Sequence, residues 1–120
     1  MDSNTNHKIA LESFKSFNQH DLEKLLSLYH DNAKHFSPKL KIHKPETLEL
    51  IQGKEQLRAC WKDSFERLPG QVYDPTNFIA GESEIFMEYI RNVDGEEQAM
   101  VGEVLEIVNS LIISSRVYHS

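Results

Sequence analysis

Apolar residues recur at helical spacing up to Leu68 and at strand spacing beyond Gly70. From about Asn4 to Phe17, Ala10, Phe14 and Phe17 share one face, with Ile9 or Leu11 at its edge, which predicts a first helix. Asp21 stands where an N-cap carboxylate accepts from the next turn, and Leu22, Leu25, Leu26 and Tyr29 follow at helical spacing, predicting a second helix to about His30. A short strand then carries His35 and Ser37, two apart and therefore on one face, into Pro38. Pro38 and Pro45 argue against helix or central strand through Glu46, so this stretch reads as a loop and a pocket rim. Gly53 precedes the clearest helix, KEQLRACWKDSFERL, with Leu57, Trp61, Ser64, Phe65 and Leu68 on one stripe, and Pro69-Gly70 ends it.

Four strands are predicted over Gln71 to Ala80, Glu84 to Asn92, Gln98 to Val108 and Leu111 to His119, parted by Gly81-Glu82, Asp94-Gly95 and Asn109-Ser110. Asp94-Gly95 is the strongest hairpin signal, and a tight two-residue turn there sets residue 86 opposite residue 103. Phe86, Glu88 and Ile90 then share the face of Glu103, while Ile85, Met87, Tyr89 and Arg91 form the other. In MVGEVLEIV, Val101, Glu103, Leu105 and Ile107 take one face and Gly102, Val104, Glu106 and Val108 the second. Both are largely apolar, as expected if one lines a pocket and one packs on a second subunit. Helices followed by an antiparallel meander give an α+β domain.

At 120 residues the chain is expected to be one domain, 1–120. A net charge of −6 argues against a nucleic-acid surface, and the absence of long apolar runs argues against a membrane span. The polar start MDSNTNHK has no signal core, so a cytoplasmic location is expected. Cys60 is the only cysteine, which excludes an internal disulfide and a thiolate cluster, and beside Trp61 it reads as a structural thiol. The histidines lack zinc spacing, so no metal is expected.

FNQHDL at the end of the first helix, LLSLYHDNA before the short strand, GKEQLRACWKDSF, and the final pair GEVLEIVNSLIISSRVYHS together resemble the SnoaL-like branch of the NTF2-like superfamily, which includes ketosteroid isomerase. The resemblance spans nearly the whole chain. It implies a cone: three N-terminal helices packed on a strongly curved, mixed but mainly antiparallel sheet that encloses a pocket. It also implies homodimers through the outer sheet face, a small-molecule ligand and no cofactor.

Ketosteroid isomerase keeps its general base directly before the proline that ends the short strand, where this chain has Ser37. Its oxyanion-hole tyrosine falls on Ser13. Its second carboxyl, a group kept protonated by an apolar site, corresponds to Glu103. The resemblance thus points to Glu103 and His35 as catalytic candidates, His35 being the group whose ordinary pKa lies near neutrality. Ser37, Glu88, Ser115 and His119 are expected around them, in a cavity lined by Phe14, Tyr29, Trp61, Phe65 and Phe86. The reaction class would be proton transfer beside a carbonyl: isomerisation, aldol cyclisation or dehydration. Two alternatives stand beside it. Ser37 in place of a base favours a non-catalytic ligand-binding module, and an apolar outer face of Ile85, Met87, Tyr89, Val104 and Val108 favours a dimerisation module. Glu103 also reads as a hydrogen-bonded structural carboxyl, and Glu88 as an ion-pair partner of Arg91 or Arg116.

Overall fold

The computed structural model describes residues 3–38, 40 and 49–119. Helices α1 (Ser3–Asn18) and α2 (Leu22–Ser27) precede strands β1 (Tyr29–Phe36) and β2 (Leu50–Gln52). Helix α3 (Lys54–Arg67) follows, then β3 (Val72–Ala80), β4 (Glu84–Asn92), β5 (Ala99–Val108) and β6 (Leu111–His119). The six strands form one sheet in the order β2-β1-β6-β5-β4-β3. The β1–β6 pair is parallel and the other pairs are antiparallel. The class is α+β with a mixed sheet. Most of the predicted Pro38–Glu46 loop lies outside the described residues.

Helix α1 stops because His20 takes a left-handed backbone, φ 54°. Its N–H donates to the Phe17 carbonyl, and the Asp21 N–H donates to that of Ser16, the paired bonds of a Schellman end. Asp21 then caps α2, its carboxylate accepting from the Lys24 N–H at 3.2 Å. Asn18 locks the corner to the sheet, donating to the Tyr73 carbonyl and accepting from its N–H. Two predicted boundaries move. Helix α2 ends at Ser27 rather than near His30, and Tyr29 opens an eight-residue strand. The Leu22, Leu25, Leu26, Tyr29 series is equally compatible with a helix that hands over to a strand while keeping its apolar side inward. Ser37 lies one residue beyond that strand, its N–H held by the Glu49 carbonyl at 3.0 Å.

The consequential difference is the register of β4. Asp94 and Gly95 do occupy a turn, closed by the Glu96 N–H on the Val93 carbonyl, but of the two only Gly95 has positive φ. A two-residue hairpin of the favoured type needs positive φ at both. The connection therefore runs on through Gln98, and Met87, not Phe86, pairs with Glu103. A shift of one residue turns every side chain over. Ile85, Met87, Tyr89 and Arg91 are buried on the helix-covered face, whereas Phe86 and Glu88 lie on the opposite face. Asn109-Ser110, the weaker turn signal, is the tight one: both residues have positive φ and Val108 pairs with Leu111.

Helix α1 packs on β3 and β4, and α3 on β1 and β2. Leu57 and Trp61, four residues apart on α3, are buried with Leu25, Leu26, Ile51, Val101, Leu105 and Ile112 in one core. Burying each such side chain is worth about 1.5–3 kcal/mol. The core fills most of the space between the two layers and leaves one end of it hollow.

Candidate functional site

That hollow is a cavity of about 130 Å³. Phe14 and Phe17 from α1, Leu25 from α2, Trp61 from α3 and Met87 and Val117 from the sheet form its apolar wall. Tyr29, His35, Ser37, Tyr73, Tyr89 and Glu103 supply polar atoms from the sheet side. Where α3 runs out, Asp63, Ser64, Arg67, Gln71 and Arg91 give the cavity a polar end.

Glu103 is delivered by the alternation of β5, which turns Val101, Leu105 and Ile107 inward with it. Tyr89, two residues beyond the Glu103 partner Met87 on β4, donates its hydroxyl to Glu103 Oε1 at 2.8 Å. Tyr73 hydrogen-bonds Tyr89 in turn, and the two rings lie 4.4 Å apart. Burial opposes the charged form of Glu103 and pushes its pKa up to about 7, with the Tyr89 hydrogen bond pulling weakly the other way. Burial and the neighbouring Glu103 raise the phenols of Tyr29, Tyr73 and Tyr89, so all three stay protonated donors at neutral pH.

His35 occupies a second polar centre. Its Nδ1 lies 2.7 Å from Ser115 Oγ, and Ser115, wholly buried, also hydrogen-bonds the Tyr29 hydroxyl. Burial lowers the His35 pKa to about 4, so the imidazole is neutral at pH 7. Strand β6 separates β1 from β5, which sets His35 and Glu103 on strands roughly 10 Å apart. Ser115→Ala would leave two buried groups without their common partner. An orphaned buried donor or acceptor costs about 1–3 kcal/mol, so we expect a lower urea midpoint at unchanged slope.

Of the other expected site residues, Phe14, Tyr29, Trp61 and Ser37 stand at the cavity wall, and Ser115 stands behind it, holding His35. Phe65 is not at the wall: its ring stacks on His20 at 4.5 Å and meets Phe17 at 5.2 Å, closing the α1–α3 corner. Phe86 and Glu88 are displaced to the outer face by the β4 register. There the Phe86 ring covers Gly102, where an added Cβ would meet it at 3.3 Å, and Glu88 accepts from Asn77 Nδ2 at 3.2 Å. Glu88 thus pairs with neither Arg91, bonded to Glu96, nor Arg116, bonded to Glu106. The backbone of His119 pairs with Val101, and its side chain lies outside the described residues. Ser13 lines the cavity, but its hydroxyl donates to the Ala10 carbonyl at 2.7 Å, which commits its proton to its own helix.

Tyr89, Arg91 and Gln71 are site residues that the sequence reading did not place there. The alternation of β4 holds the signal: Ile85, Met87 and Tyr89 are the more uniformly apolar face, and Glu88 belongs to the other. Among the described residues no helix is long and apolar enough to cross a membrane.

A six-stranded mixed sheet covered by helices places the chain in the class of small α+β domains of the SnoaL and NTF2 type. The model of the SnoaL-like domain matches residues 10–114, and the chain belongs to that family. Among solved structures, a SnoaL-like protein of unknown function from Burkholderia thailandensis is similar, with a TM-score of 0.87 and 21% identity over 98% of this chain and 95% of that one. A proposed ketosteroid isomerase from Kribbella flavida follows with a TM-score of 0.81 and 17% identity, covering 98% and 79%. Bal32a, from a soil-derived mobile gene cassette, has a TM-score of 0.82 and 15% identity, covering 98% and 90%. At these identities the likeness is one of fold. No curated protein matches the chain.

Proposed function

We propose that the cavity binds a small, mostly apolar carbonyl compound and that Glu103 moves a proton beside the carbonyl. The single observation behind this reading is the Glu103 carboxyl, partly buried at the cavity wall, oriented by Tyr89 and poised near pH 7. As carboxylate it takes the α-proton; the C–H electron pair becomes the C=C bond of the enolate and the carbonyl π pair moves onto its oxygen. As acid it returns the proton at the same or a conjugated carbon, which is isomerisation. If the enolate first attacks a second carbonyl, the outcome is aldol cyclisation, and loss of a β-hydroxyl gives dehydration. His35, neutral, supplies a hydrogen-bond partner for the carbonyl oxygen through Nε2, since Ser115 engages Nδ1.

Size narrows the substrate. An apolar cavity of about 150 Å³ holds one benzene, so a cavity of about 130 Å³ suits a single ring rather than a fused polycycle. The test is exchange of α-protons in D₂O, followed by proton NMR, for cyclohexanone and acetophenone. Exchange above the buffer rate supports the reading, and its absence across such ketones overturns it. Ser37 favours a second reading, a non-catalytic binding module, because no carboxylate stands before Pro38. Thermal stabilisation by these ketones without exchange would select it.

We propose further that the protein forms homodimers through the outer sheet face. Ile85, Met87 and Tyr89 are buried inside, so they cannot contribute. The apolar groups available there are Ile79, Phe86, Ile90, Met100, Val104 and Tyr118, with Ile79 63% and Tyr118 50% exposed. Sedimentation equilibrium at micromolar concentration should give the dimer mass, and Ile79→Lys combined with Tyr118→Glu should give the monomer. A wild-type monomer would remove the proposal.

A further inference from the structure

Arg91 is out of place for a wall that is otherwise aromatic and aliphatic. It sits on the inner face of β4, 9% exposed, and lines the cavity. A guanidinium removed from water needs charged or polar partners. Its ion pair is with Glu96 at 3.0 Å, a carboxylate on the β4–β5 connection that is 48% exposed at its side chain, and this bond uses one of five N–H groups. The other arginine of the lining, Arg67, is already neutralised by Asp63 four residues before it on α3, at 2.8 Å, and faces solvent. Gln71, 3% exposed, immediately precedes β3, the strand paired with β4, and Ser64 Oγ donates to its amide oxygen at 3.2 Å. With its oxygen turned to Ser64, the Gln71 side chain can contribute its NH₂ as a donor at this end of the cavity. The polar end of the cavity therefore holds one buried cation, Arg91, alongside the Ser64–Gln71 pair, and its carboxylate, Asp63, is engaged by Arg67.

We infer that the ligand carries a carboxylate, seated on Arg91 with Gln71, and that this seat orients its carbonyl towards Glu103. The inference rests on the reading of the cavity given under Proposed function and adds the substrate class: a ring-sized keto acid. Spacing supports it. Arg91 lies two residues beyond Tyr89 on the same strand face, about 7 Å along β4, and Tyr89 is the residue that holds Glu103. One ring bridges that interval, with the acid at one end and the reacting carbonyl at the other. A planar guanidinium meets a carboxylate through two parallel N–H···O bonds, which also fixes which end of the ring enters first.

The probes are 4-acetylbenzoate and its neutral counterpart 4-acetylbenzamide, titrated calorimetrically at low salt into the full chain. For the wild type, the acid should bind roughly ten-fold or more tightly than the amide, the scale of one charge-assisted hydrogen bond. Arg91→Gln should erase that preference, lowering affinity for the acid far more than for the amide. Because Arg91 is buried and its replacement can cost the fold, Glu96→Gln gives an independent measurement. It removes the competing carboxylate from an exposed loop, so affinity for the acid should rise several-fold and that for the amide should not move. If the amide binds as well as the acid, the carboxylate seat is wrong while the cavity reading stands. If neither binds, both fall together. Unchanged or weaker acid binding in Glu96→Gln would make Arg91 a tether for the β4–β5 connection and overturn the inference.

Discussion

Glu103→Gln should lower the rate of α-proton exchange by roughly 10²–10⁴, the usual worth of a positioned acid–base group. Glutamine keeps the size and still accepts from the Tyr89 hydroxyl that meets Glu103 at 2.8 Å, so the cavity and its neighbours are preserved. What is lost is the proton site alone. In the wild type the rate of proton abstraction should climb with pH as the carboxyl ionises and level off above about 7, the value to which burial raises it. A carboxylate at its ordinary pKa of 4.5 would level off more than two pH units lower. Proton NMR in D₂O over pH 5–9 reads both the plateau and its position. Exchange in Glu103→Gln within three-fold of wild type would assign the chemistry elsewhere, or to solvent.

The order of elements was legible in the sequence because periodicity reports burial directly. The ends of β4 and β6 coincide with the predicted ones, and α1 differs by one residue at each end. The two faces of β5 also followed from alternation alone. The inner face of β4 was misassigned because its register was taken from the connection to β5 and not from the more uniformly apolar face of the strand, Ile85, Met87 and Tyr89. Asp94-Gly95 promised a tight hairpin, yet Asp94 keeps negative φ and the chain adds residues before pairing, so Glu103 meets Met87. One residue of register exchanged Phe86 and Glu88 for Tyr89 and Arg91 at the site. Strand β2 was missed for a different reason: three residues paired at a sheet edge leave no period to detect. The partner of His35 was equally hidden, since Ser115 lies eighty positions away and reaches it only through the parallel β1–β6 pair. Ser37, the departure that most separates this chain from ketosteroid isomerase, remains at the cavity wall without a carboxylate beside Pro38. Of the two carboxyl positions that the resemblance implies, this chain has an acid only on β5, at Glu103, where burial raises its pKa.

Two cavity-lining titratable groups with pKa values displaced in opposite directions should leave a signature in stability as a function of pH. Glu103 is raised from 4.5 to about 7, so its neutral form is favoured by the fold. Its contribution is fully present below pH 4.5 and is lost as pH rises to about 7. His35 is lowered from 6.5 to about 4, so the fold again favours the neutral form. Its contribution is present above pH 6.5 and is lost as pH falls to about 4. Each displacement corresponds to about 3 kcal/mol. Over pH 4.5–6.5 the two slopes oppose one another, and the wild type should show a nearly flat profile there. Glu103→Gln removes one slope. At pH 8 the variant should be more stable than wild type by up to about 3 kcal/mol, since it no longer buries a carboxylate, and the advantage should vanish near pH 4. His35→Gln leaves the other slope, so its stability should fall from pH 4.5 to pH 6.5, where wild type is level. Urea unfolding at half-unit pH steps measures all three curves. A Glu103→Gln profile parallel to wild type would mean that the carboxyl is hydrated in the native protein, and a site built on its raised pKa would go with it.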